Sequence, residues 1–190
     1  KKMRKLPILI LLSMMSTGNA LAQSMADVFM KMPAEVCPLL NEYNRLEIVD
    51  NQKNGKEMKT KNQLFGMSEM KVLTDRYALL QTTKNSTKEM KMLNKADGSK
   101  VIVVVSTVVS DGVYDSTVEF YDTDWKALNA TDFVSIKNEK EFNHIKMSQD
   151  SDELTVYQSN PLLLNFDNEK VQTDLEIEDA RLRWNGKKFE

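Results

Sequence analysis

Val101-Ile102-Val103-Val104-Val105-Ser106-Thr107-Val108-Val109 is a run of nine residues in which all but Ser106 are β-branched. Such side chains suit a pleated strand. Successive residues of a strand point to opposite faces, so a run that is apolar on both faces needs cover on both. The run therefore predicts a central, fully buried strand, with the N-terminal helices as one of its covers. Each buried valine contributes on the order of 1.5 kcal/mol or more, which makes this segment the expected backbone of the core.

On its N-terminal side the pattern has period two. Met58, Thr60, Asn62 and Leu64 share one face of a strand, with Glu57, Lys59, Lys61 and Gln63 opposite. Met70 and Val72 alternate with Glu69 and Lys71, the segment 77–83 follows, and Met90 and Met92 alternate with Glu89 and Lys91. One wet and one dry face predict antiparallel strands with a single side on a core. Gly66, Asn85-Ser86, Asp97-Gly98 and Asp111-Gly112 supply the turns.

Further out the period lengthens. Ser24 caps a short helix with Ala26, Phe29 and Met32 on one face, stopped by Pro33. Leu39, Tyr43, Leu46 and Val49 predict a second amphipathic helix ending before Asn54-Gly55. Towards the C-terminus, Val118 to Tyr121 reads as a strand. Asn138 and Glu141 form a capping box for a short helix bearing Phe142 and Ile145. The pairs Leu154/Val156, Leu175/Ile177 and Leu182/Trp184 mark late strands. Asn185-Gly186 is a two-residue hairpin signal that folds 187–190 back onto the strand ending at Trp184. The expected fold class is α+β, with short N-terminal helices packed on a large, mostly antiparallel sheet of about seven to nine strands.

Residues 1–22 carry an export pattern: Lys1, Lys2, Arg4 and Lys5, an apolar stretch from Leu6 to Met15, and Ala20-Leu21-Ala22 before an expected cleavage ahead of Gln23. The apolar stretch is shorter than the roughly 20 residues a membrane span needs. A single domain over 23–190 is expected, periplasmic or secreted, with no membrane anchor once the signal is removed. Removal leaves 22 basic against 28 acidic residues. That balance, mixed along the chain, argues against nucleic acid as a partner and against a polybasic membrane patch. The lone Cys37 excludes an internal disulfide and reads as a small buried hydrophobe.

The chemistry-bearing residues are few. His144 is the only histidine, so zinc sites and catalysis that need two are excluded; it is expected on a surface helix. Carboxylate pairs that would suit glycoside hydrolysis are Asp122/Asp124, Asp150/Asp152 and Glu176/Glu178. Asp122-x-Asp124 and the acidic loop at Asp150 also suggest calcium, without the remaining ligands of a known loop. Met67-x-x-Met70 and Met90-x-Met92 suggest thioether copper sites, against a plainer role as core filling. Tyr121, Trp125, Trp184 and Phe189 form either an aromatic surface or core packing. No catalytic residue is assigned, and no cofactor or metal is expected.

The segments Asn44-Arg45-Leu46-Glu47-Ile48-Val49-Asp50, Leu73-Thr74-Asp75, Ser86-Thr87-Lys88-Glu89-Met90, Glu119-Phe120-Tyr121-Asp122-Thr123-Asp124-Trp125 and Arg183-Trp184-Asn185-Gly186-Lys187-Lys188-Phe189 together resemble a family of exported Bacteroidales proteins classed as a domain of unknown function. The resemblance runs from about Met25 to the end. It implies an envelope location and a strand-rich α+β fold, and it brings no activity or site residues. The functional expectation is a non-enzymatic binding or accessory protein that contacts another envelope protein or a glycan. The alternatives are a carboxylate-dependent glycan hydrolase and a methionine-based copper-binding protein.

Overall fold

The β-branched run forms an eleven-residue strand, and Val101 to Val105 are fully buried on both of its faces. The computed structural model describes residues 23–136, 142–159 and 176–190, with the side chains of 159, 176 and 177 not described. In chain order the elements are α1 (Met25–Met30), α2 (Glu42–Lys53), β1 (Lys59–Lys61), β2 (Met67–Leu73), β3 (Tyr77–Thr83), β4 (Ser86–Asn94), β5 (Lys100–Ser110), β6 (Val113–Tyr121), β7 (Ala127–Leu128), β8 (Asn143–Met147), β9 (Glu153–Ser159) and β10 (Glu176–Arg183). Strands β1 to β7 form one antiparallel sheet in sequence order. The other three form a second sheet in the order β10-β9-β8.

The molecule is thus layered: helices, a seven-stranded sheet, then a three-stranded sheet. Between helices and large sheet lie Met25, Phe29, Met32, Cys37, Leu40, Ile48, Met70, Leu80, Met90, Met92, Ile102 and Val104. Between the sheets lie Leu93, Val101, Val103, Val105, Phe120, Ile145, Met147, Leu154, Val156, Trp184 and Phe189. The second cover on β5 is therefore a sheet, where one large sheet was expected to carry everything.

That second layer changes the reading of β4. Glu89 and Lys91 alternate with Met90 and Met92 as predicted, but their face is not wet. Lys91 is 2% exposed, and its ammonium donates to the carbonyls of Ser148 (2.8 Å), Gln149 (3.2 Å) and Ser151 (2.7 Å) on the small sheet's loop. Glu89 accepts from the Tyr77 hydroxyl (2.8 Å) and the Met147 amide (3.1 Å). Polar groups at these positions dock the second sheet, because a buried polar group must find a partner.

Three further expectations shift. The second helix exists, but its buried face is Arg45, Ile48 and Val49, while Tyr43 and Leu46 are exposed. Arg45 interrupts the apolar spacing; its guanidinium reaches in to the Leu40 carbonyl. In β2 a bulge between Met70 and Val72 breaks the alternation, so Met70 faces the helices and Val72 the small sheet. The predicted helix at Phe142 and Ile145 is strand β8, whose inward residues are Asn143, Ile145 and Met147, a period of two. Its proposed cap residues Asn138 and Glu141 lie outside the described residues, as do the expected export signal at 1–22 and Leu175.

The strand Met58-Thr60-Asn62 keeps its face, whereas Leu64 lies in the following loop and is exposed. At the C-terminus the chain does turn back: Arg183 and Glu190 exchange backbone hydrogen bonds and Trp184 bridges Phe189. The loop is four residues long rather than two. Gly186, at φ 92°, packs so closely that a Cβ would stand 3.3 Å from the Ala96 nitrogen, a position that suits only glycine.

Candidate functional site: a cleft between the two sheets

The seven-stranded sheet is incomplete at its far edge. β7 pairs only with Phe120 and Tyr121, because the chain leaves the sheet at Asn129. The Asn129 side chain caps a short 3-10 turn, Ala130–Asp132. The chain then drives Phe133 between the sheets, stacked on Phe120 at 4.8 Å and near Trp184 at 6.2 Å. This departure leaves space beside β6.

Across that space stands β8. Its Ile145 amide donates to the Ser116 hydroxyl (3.0 Å), which also bonds the Thr107 hydroxyl (2.8 Å). The result is a cleft of about 420 Å³. Asn143 and Ile145 are its buried lining; Ser116, Val118, Ala130, Val134 and Ile136 are half-buried; Asp115, Thr117 and Thr131 stand exposed. Hydroxyls, one amide and one carboxylate face branched apolar walls. Such a lining orients a polar group while shielding an apolar one. Asp115 is the one titratable residue among its lining residues, so they provide no carboxylate pair and no nucleophile with a base.

The residues singled out from sequence lie elsewhere. Asp122 Oδ1 accepts the amides of Asp124 and Lys126, both at 2.9 Å, and so shapes a turn. Asp152 takes a two-pronged bond from Arg76 (2.8 and 3.0 Å) and sits 3.4 Å from the Lys91 ammonium. The carbonyls of the acidic loop converge on that ammonium, which occupies the position a bound cation would need. Glu178 pairs with Arg181 at 3.0 Å, and the Glu176 side chain is outside the described residues. Met90 and Met92 fill the helix-side core. Met67 and Met70, three apart on a strand, face opposite ways: Met67 is exposed and Met70 buried.

His144 lies on β8, stacked on Tyr114 with 4.1 Å between ring centroids, and not on a surface helix. Cys37 is buried, and burial raises its thiol pKa. The four aromatics are core: the Trp125 indole donates to the Val28 carbonyl (2.9 Å) and the Trp184 indole to that of Asn94 (2.7 Å). Burial, then the neighbouring Glu119 carboxylate, pushes the Tyr121 hydroxyl up to about 12. The cleft residues themselves escaped sequence reading. They come from three distant segments, and Ile145 stood on the wrong kind of element.

Comparison with known proteins places the chain structurally. The family model described as "Protein of unknown function (DUF3256)" matches residues 17–187. A solved structure described as that of a domain of an uncharacterized protein from Porphyromonas gingivalis W83 is similar with a TM-score of 0.69 at 21% identity. The alignment covers 89% of this chain and 98% of that one. At that identity the likeness shows the fold. No curated protein matches.

Proposed function

Since the chain belongs to this family of unknown function, we propose from its own geometry that it is an exported, non-enzymatic binding or accessory protein whose inter-sheet cleft holds part of another envelope component. The observation that carries this reading is the cleft lining: hydroxyls, an amide and branched apolar side chains around one carboxylate, Asp115. Two carboxyl groups set across a bond are what glycoside hydrolysis uses, whereas among the candidate pairs Asp122 shapes a turn and Asp152 and Glu178 sit in ion pairs. The export signal at 1–22 supplies the location in this reading, periplasmic or secreted.

The test is affinity capture of the tagged protein after crosslinking in its native envelope, alongside a Thr131→Trp variant whose indole fills the cleft mouth. One specific component retained by the parent and lost by the variant is expected. Turnover of an envelope glycan or peptide, abolished by a single carboxylate substitution in a folded protein, would replace this reading with the hydrolase.

A further inference from the structure

Among the described residues, three other than glycine have a positive φ: Phe65 (61°), Asp111 (50°) and Trp125 (64°). A side chain is strained there, so something must hold it. Asp111 precedes Gly112 (φ 81°) in the tight turn joining β5 and β6, where such angles belong. Trp125 is buried and its indole is hydrogen-bonded, so packing offsets the strain. Phe65 is 84% exposed. Its conformation does nothing for the core.

The loop that holds it is framed by hydrogen bonds. Asn62, buried beneath it, accepts the amides of Leu64 (3.0 Å) and Gly66 (3.1 Å) and donates to Ser68 and the Thr82 carbonyl. The Phe65 amide donates to the Asn62 carbonyl (3.0 Å), and that of Gln63 to Leu39 (3.0 Å). This frame displays Leu64 (70% exposed), Phe65 and Met67 (58% exposed) together at the tip of the β1–β2 hairpin.

The charges displayed at the tip are those of lysines, while on α2 the Glu47 carboxylate accepts from the Thr60 hydroxyl. The Lys61 ammonium lies 5.6 Å from the Phe65 ring centroid. The carboxylates of Glu57 and Glu69 are taken up by Lys59 (2.9 Å) and Lys71 (2.6 Å). Lys84 is exposed in the next turn, between β3 and β4, at the same end of the sheet. Three apolar side chains on a convex turn offer a rigid partner far less than the ~800 Å² per side of an ordinary protein interface. A bilayer surface adapts to a small wedge, and its anionic headgroups attract lysines.

We propose that the β1–β2 tip seats Leu64, Phe65 and Met67 in the interface of an anionic lipid bilayer, with Lys61 and Lys84 at the headgroups. The full sequence carries a net charge of −2, and without residues 1–22 it has 22 basic against 28 acidic residues, so attraction is local, acting within a Debye length of about 8 Å at physiological salt. Contact is therefore tip-first. The cleft, on β6, lies four strands across the sheet from β2 and stays open.

The experiment is co-sedimentation of the purified protein with vesicles of phosphatidylethanolamine and phosphatidylglycerol, against vesicles of phosphatidylcholine alone. Salt-sensitive binding to the anionic vesicles is expected, weakened about tenfold or more by Phe65→Asn. Asparagine tolerates a positive φ, so that variant should keep or raise its Tm, which separates lost binding from lost folding. Lys84→Glu should weaken binding without changing stability. Equal or absent binding to both vesicle types, or binding that Phe65→Asn leaves intact, overturns the proposal. So does a photoreactive group at Leu64 that captures a protein and no lipid in the native envelope; that result would assign the tip to a protein pocket.

Discussion

Glu89 sits between the two sheets with its carboxylate against the Tyr77 hydroxyl and the Met147 amide. Burial raises its pKa, partly countered by those two bonds. A carboxyl whose folded pKa is raised favours folding while protonated and opposes it once charged. Stability is therefore lost as pH rises from the ordinary carboxylate range through the folded value. Glu89→Gln keeps the acceptor without the charge. Its Tm at pH 7 should exceed that of the parent by about 2–4 °C, with the difference closing as the pH is lowered to 4; thermal scans across that range check it. A variant no more stable at pH 7 would show that the carboxylate is adequately solvated. Residues such as this one were misread from sequence. An acidic and a basic residue alternating with methionines look like a solvated face, and only the presence of a second sheet reverses that.

Elements were more legible than the faces they present. The period-two segments became β1 to β4, and the β-branched run became β5, because a run apolar on both faces is stable only with cover on both. The second helix was found with its face turned, since the true stripe includes Arg45, whose buried guanidinium bonds backbone carbonyls. β8 was taken for a helix because Phe142 and Ile145 happen to lie three apart. Within β5, Val104 and Val108 point to the same side, but Val104 lies in the helix-side core and Val108 is 55% exposed beyond it. Val104→Asp buries an unpaired carboxylate and should abolish cooperative unfolding. Val108→Asp should stay within about 0.5 kcal/mol of the parent. Circular dichroism melts decide both, and a cooperative transition in Val104→Asp would show that the helical layer does not seal the strand.

On the scale of the whole molecule, the α+β class and the antiparallel character of the strands were accessible from period and turn signals, whereas the strand order, which runs in sequence through the large sheet, was not. Nor was the division into two sheets. It arises where the chain abandons β6 after two paired residues and inserts Phe133 between Phe120 and Trp184. No local pattern announces that departure, and the same departure creates the cleft, so the site was invisible for the reason the second layer was. If the cleft holds a partner, position 131 faces it, while Asp97, in the turn between β4 and β5, does not. The decisive measurement is photocrosslinking in the native envelope with a photoreactive residue at Thr131 or, as control, at Asp97. A discrete adduct from position 131 and none from position 97 is expected. No adduct at 131, or the same adducts from both positions, would contradict a partner held in the cleft.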